Sequence, residues 1–170
     1  DVQANAIAMA GEAVTSAGSG NVRYVATDTL ALGALSTGGN VSLSAASITD
    51  SNDMAMNVSA NQLRIVTTGT DDGQGVGTSN DALEIDVDRL AASVSGTATG
   101  GLFLTEADSI SVGTLSAITI NRVGADDTDL ALTDDALGDL ASAGHLVLST
   151  AAGRIETLAT NGEITAAGNL

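Results

Sequence analysis

One phrase recurs along this chain and limits what it can become: a glycine, a short alternating apolar run, a small-residue bend, then a second short run. Gly39-Asn40-Val41-Ser42-Leu43-Ser44-Ala45-Ala46-Ser47-Ile48 is the cleanest copy. Gly20-Asn21-Val22-Arg23-Tyr24-Val25-Ala26 repeats its first half. Gly100-Gly101-Leu102-Phe103-Leu104, continuing to Ile110 and Val112, and Gly144-His145-Leu146-Val147-Leu148, continuing to Ile155, repeat it again. Asp81-Ala82-Leu83-Glu84-Ile85-Asp86-Val87 keeps the alternation with Asp in place of the glycine. A two-residue period puts the apolar set on one face of an extended strand. Gly, Asn, Asp and Thr bound each run, as turn chemistry requires. Helices fit less well. The two most helix-like stretches, Ala4–Val14 and Asp134–Ala143, are Ala-rich and short.

The spacing carries the reading from strands to architecture. Anchors at residues 20, 39, 81, 100, 144 and 168, wrapping round to 20, lie 19, 42, 19, 44, 24 and 22 residues apart. Halving the two long gaps divides the 170 residues into eight units of about 21, inside the window for stacked repeats. The halved gaps hold less regular units: Met56-Asn57-Val58 with Leu63-Arg64-Ile65-Val66, and Ile118-Thr119-Ile120 with Leu130-Ala131-Leu132. The ends also splice. Joined to Asp1, the closing Gly168-Asn169-Leu170 leads into a run that matches Gly39–Ile48 at Gly168, Asn169, Ala4 and Ile7, with Leu170 and Val2 in place of Val41 and Leu43. The expectation is an all-β chain: a parallel β-helix, or β-solenoid, of about eight coils with layers at roughly 4.8 Å. Residues 1–170 then form a single segment, one period of a tandem array in a larger protein. Adjacent copies would cover the strand edges at both ends.

Composition agrees with a narrow, layered interior. The only rings are Tyr24 and Phe103, and there is no Trp, Pro or Cys, so the core must come from Ala, Val, Leu and Ile rather than from aromatics. A hydrophobic fraction of 44% argues against wholesale disorder. The net charge of −16 comes from 21 acids against five arginines, with no lysine. That balance repels anionic surfaces and keeps a long polymer soluble. It excludes nucleic acid as a partner, because nothing can neutralise a row of phosphates. Absence of Cys removes disulfide scaffolds, thiolate zinc sites and thiol catalysis. No apolar run approaches the ~18 residues of a membrane span, and a targeting segment for export would have to lie outside this sequence.

Acidic turns are the chemically suggestive clusters. Asp71 and Asp72, in Thr70-Asp71-Asp72-Gly73-Gln74-Gly75, crowd hard oxygen ligands into a loop. Asp126, Asp127 and Asp129, in Gly124-Ala125-Asp126-Asp127-Thr128-Asp129, do the same. These five are weak Ca²⁺ candidates; they match neither the EF-hand loop nor the glycine-rich calcium nonapeptide, and the solvated turn is the preferred reading. No other cofactor or metal site is expected. Asp50-Ser51-Asn52-Asp53 and Asp134-Asp135 are weaker clusters. His145, the sole histidine, follows a repeat glycine where other copies carry Asn, which suits a corner ladder better than catalysis. Glu106 and Asp108 could pair as acids across a turn, yet two rings offer little for sugar stacking, and no catalytic residue is assigned. The five arginines, Arg23, Arg64, Arg89, Arg122 and Arg154, read as scattered ion pairs with neighbouring Asp.

Gly39–Asp50 and Gly100–Gly113 resemble coils of bacterial filamentous-haemagglutinin-type adhesins and of giant repetitive exoproteins. The resemblance implies a right-handed parallel β-helix, secreted and displayed at the bacterial cell surface as a filament or stalk for adhesion, aggregation or matrix building. It implies a non-catalytic role, with sister filaments or cell-surface glycans as partners besides adjacent copies. The alternative is a solenoid module that binds glycans or Ca²⁺ through its loops.

Overall fold

The computed structural model describes all residues, Asp1–Leu170, and the protein is all-β, with nineteen strands and no helix. The chain opens with β1 (Val2–Ala4), β2 (Ile7–Ala8), β3 (Val14–Ser16), β4 (Val22–Ala26), β5 (Thr29–Leu32) and β6 (Ala34–Ser36). It continues through β7 (Asn40–Ala45), β8 (Ser47–Asp50), β9 (Val58–Thr67), β10 (Gly75–Val76), β11 (Leu83–Val94), β12 (Gly101–Glu106) and β13 (Ile110–Val112). Then come β14 (Ile118–Val123), β15 (Asp129–Asp134), β16 (Leu140–Ser142), β17 (His145–Thr150), β18 (Ile155–Thr157) and β19 (Ile164–Ala166). The helix-like stretches Ala4–Val14 and Asp134–Ala143 hold only short strands and turns.

Seventeen strands hydrogen-bond into one sheet, and its pairings are parallel. Side chains meet in columns. Val2, Tyr24, Leu43, Ile65, Ala92, Leu140 and Ile164 stand each beside the next. Ile7, Leu30, Ile48, Val76, Leu102 and Leu146 make a second column. Val22, Val41, Leu63, Leu90, Val112 and Thr157 make a third. The alternation read from the sequence is the cause: Leu83, Ile85 and Val87 in β11 are buried while Asp86 and Asp88 face water. The columns merge into one core of 27 buried residues, nearly all aliphatic. Each fully buried Leu or Ile stabilises by about 1.5–3 kcal/mol relative to exposure.

Polar ladders close the corners. Asn21 Oδ1 accepts from the Asn40 backbone N–H at 2.9 Å, and Asn61 Nδ2 donates to Asn40 Oδ1 at 3.2 Å. Asn57 is fully buried; its Nδ2 donates to Leu32 O at 3.2 Å, and its Oδ1 accepts from the Glu84 N–H at 2.8 Å. One amide thus joins three successive stretches of chain, which is the local satisfaction that turns without regular pairing require.

One expectation is corrected. Ile118–Ile120 and Leu130–Leu132 do not supply a further pair of parallel strands; β14 and β15 form an antiparallel hairpin outside the large sheet. Gly101 pairs directly with His145, so the long gap from Gly100 to Gly144 is a single step interrupted by an insertion. The reason is visible in the hairpin's own residues. Asp126, Asp127 and Thr128 make a tight turn, with Asp127 at φ 61°, and β15 alternates too weakly to bury a face.

The hairpin lies back across the outer side of β4 and β7. Arg23 Nε reaches both oxygens of Asp134 at 2.9 and 3.0 Å, and Arg23 Nη1 reaches Asp1 at 3.1 Å. Asn21 Nδ2 donates to Thr119 O at 2.8 Å, and Arg64 Nε donates to Asp135 O at 2.9 Å. Beneath it Ser42 has no solvent exposure. Arg154 lies 2.6 Å from Glu156, an acid other than the expected Asp. Arg23 pairs with aspartates, and its partner Asp134 is 111 residues away. Because that pair is mostly shielded, Asp134→Ala should cost about 1–2 kcal/mol, above the usual range for an exposed pair. Hydrogen exchange checks this: amides of β14 and β15 should lose protection while those of β9 and β11 keep theirs.

Candidate functional site

Asp72 Oδ1 accepts from the Thr99 N–H at 2.9 Å and from Thr99 Oγ1 at 2.8 Å. It ties one loop to the loop one pass of chain further on, and those bonds hold its carboxyl below the usual range. Asp71 is exposed, and its backbone N–H donates to Gln74 Oε1 at 3.0 Å. Asp126 Oδ1 accepts from Thr128 Oγ1 at 2.7 Å, and this bond keeps its carboxyl low. Asp127 and Asp129 are exposed in the same hairpin turn. The two turns lie on different parts of the chain's path, and Asp72 and Asp126 already spend an oxygen on threonine.

The structure brings a different set together. Carboxylate oxygens of Asp86, Glu106 and Asp108 lie within 4.8 Å of one another. Asp86 and Asp108 are exposed, while Glu106 has no solvent exposure. Glu106 Oε1 accepts from the Ala107 N–H at 2.9 Å and the Asp108 N–H at 3.3 Å, and Oε2 accepts from the Val87 N–H at 3.3 Å. Burial outweighs those donors and pushes the carboxyl up to about 7, with the Asp86 charge adding to the rise. The pairing of Glu106 with Asp108 was legible as two acids across a turn. Asp86 and the burial were not read, although the alternation Leu102, Leu104, Glu106 signals an inward position.

A second acidic group sits beside buried Asn57. Burial and the nearby Asp50 charge raise Glu84, and burial with Asp50 and Asp53 raises Asp81. Asp50 Oδ1 accepts from Asn57 Nδ2 at 2.7 Å, while Asp50 Oδ2 and Glu84 Oε2 are enclosed without a hydrogen-bond partner.

His145 stands in a ladder. It pairs with Gly101, and its Nδ1 accepts from the Asn169 N–H at 2.9 Å. With Ser79, Thr99, Phe103, Val147 and Asn169 it lines a shallow hollow of about 380 Å³. The other hollow, about 320 Å³, is wholly apolar: Leu146, Val147, Leu148, Ile155, Ile164 and Leu170. Neither is lined by a carboxylate, so the acid groups and the concave surfaces are separate. No family model, no curated protein and no solved structure matches this chain.

Chemically, the arrangement offers carboxylates that order loops and one buried acid, but no nucleophile with an adjacent base inside a cleft. No helix is long and apolar enough to cross a membrane.

Proposed function

We propose that the chain is a stretch of β-solenoid, a right-handed parallel β-helix, serving as a non-catalytic structural repeat of an extracellular bacterial filament or adhesin. The observation that carries this reading is the column Tyr24, Leu43, Ile65, Ala92, Leu140, Ile164, in which each pass of chain rests in parallel register on the one before. Such stacking makes stability a sum over neighbouring layers, so a rod can be lengthened without a new fold. The surface suits a crowded exterior: a net charge of −16 keeps parallel rods apart and in solution. Buried Thr37, Asn57, Thr67 and Ser142 hydrogen-bond the backbone of turns and strand ends, in a chain without proline or disulfide. The resemblance of Gly39–Asp50 and Gly100–Gly113 to haemagglutinin-type coils points to the same use: adhesion, aggregation or sheath building at the cell surface.

The second reading, a glycan- or Ca²⁺-binding module, is favoured by the acidic turns alone. Isothermal calorimetry separates the two. A rod whose acidic turns are already closed by Thr99 and Thr128 should give no saturable heat with Ca²⁺ up to millimolar concentration. Stoichiometric binding abolished by Asp72→Asn or Asp126→Asn would overturn that and establish the calcium module. A glycan array then distinguishes adhesion, where defined sugars are retained, from scaffolding, where none is.

A further inference from the structure

The apolar hollow at the last layer has an identifiable occupant. It is bounded by Leu146, Leu148, Ile155, Ile164 and Leu170, and its strands β17, β18 and β19 have one edge paired and the other open, apart from the start of β17 that Gly168–Leu170 covers. At the opposite end β1, β2 and β3 are also paired on one edge only, with Val14 66% exposed and Val2 38% exposed. We propose that β1–β3 of a second copy of this chain cap β17–β19, with that copy turned half a revolution about the long axis.

The chain's own end sets the register. The Gly168 N–H donates to Gly144 O at 2.9 Å, and the Leu146 N–H donates to Asn169 O at 2.9 Å. Gly168-Asn169-Leu170 therefore retraces Gly144-His145-Leu146, and the strand below continues to Leu148 and Thr150 with nothing above it. Asp1-Val2-Gln3-Ala4 continues the same alternation, placing Val2 over Leu148, Ile7 over Ile155 and Val14 over Ile164. Counted through the join, those steps are 24, 22 and 20 residues, within the 18 to 28 of the uninterrupted pairings inside the chain.

The half-turn follows from the two broad sides. Gly39–Leu43 runs along one side, beside β4 and β9, whereas Gly100–Leu104 and Gly144–Leu148 stack on each other along the second. Both sides are built from the same phrase, so a copy rotated by half a turn presents β1 where β17 needs a neighbour. The contact is head-to-tail, which propagates without closing. The inference rests on the rod reading above.

Cysteine cross-linking tests it, because the chain has no Cys of its own. In a duplicate with Leu170 joined directly to Asp1, Ser149→Cys in the first copy is combined with Gln3→Cys in the second. Parallel neighbours lie within disulfide reach, so this pair should oxidise to completion. Thr165→Cys with the same Gln3→Cys, the partners expected without the half-turn, should not react. Reaction of the Thr165 pair instead, or of neither, overturns the proposal. An internal pair, Val25→Cys with Ser44→Cys, serves as control. If the control fails, the rod reading itself falls; if it forms and the Ser149 pair does not, only the end contact falls.

Discussion

Gly101→Val should be strongly damaging, lowering stability by about 3–5 kcal/mol. Gly101 has φ +149°, and a Cβ built on it would collide with the backbone O and N of His145 on the paired strand β17. Gly75 repeats the geometry on β10, against Gly101 itself. A side chain there meets backbone rather than a mobile side-chain tip, so relief requires the paired strands to separate, which opens the ladder on both sides. Stabilities of whole domains are ~5–15 kcal/mol, so the variant should unfold at far lower denaturant or be largely insoluble. Gly18→Ala is the contrast. Gly18 has φ +56° but nothing within 4 Å of a Cβ, and only the conformational penalty of about 1 kcal/mol remains. Urea midpoints for the two variants check the claim; equal losses would mean that close stacking at Gly101 is not what the glycine serves.

Acidity should stabilise this protein in a way that Glu106 governs. Its carboxyl titrates near 7 when folded and at an ordinary 4.5 when unfolded. The native state therefore holds a proton that the unfolded state releases between those values. The contribution is fully present below pH 4.5, fades as pH rises, and is gone above about 7. Its size is at most about 3 kcal/mol. The donors at Val87, Ala107 and Asp108 limit the loss, whereas Asp86 aggravates it by charge. Glu106→Gln keeps the shape and removes the titration. Thermal midpoints of the variant should exceed those of the parent at pH 8 and converge with them near pH 5. Parallel curves across that range would show that the buried acid is not the source. Asp72 and Asp126 act in the opposite sense: their lowered values give stability that is lost as pH falls below the ordinary 3.8. Both proteins carry those two aspartates, so the difference between Glu106→Gln and its parent cancels them.

What sequence made legible was the local rule. Val41, Leu43 and Ala45 alternate with Ser42 and Ser44, and the first set is buried in β7. Glycine anchors at 20 and 39 stack, as do those at 100 and 144. What it could not reveal was that these anchors belong to two sides of the sheet. A phrase such as Gly-Asn-Val-Ser-Leu specifies a strand with one apolar face, and both broad sides need the same strand. The hairpin departs from the sequence reading for a related reason. Ile118, Thr119 and Ile120 alternate like their neighbours, but the tight turn at Asp126–Thr128 folds the run back on Asp129–Asp134 as a hairpin, which Arg23 and Arg64 then hold against the sheet. The candidate site was the least legible part. Crowded aspartates in Gly-rich loops signal turns, so composition drew notice to Asp71, Asp72, Asp126, Asp127 and Asp129. Glu106 was the informative acid, because a charged residue in an apolar phase requires a compensating environment.

Interstrand nuclear Overhauser contacts in solution test the central claim most directly, since they read which backbone lies beside which. The account requires a chain of parallel contacts linking Val25 to Ser44, Ser44 to Val66 and Val66 to Ser93, with no close Hα–Hα pairs among them. Close Hα–Hα contacts between any two of these strands, the mark of antiparallel neighbours, would contradict it.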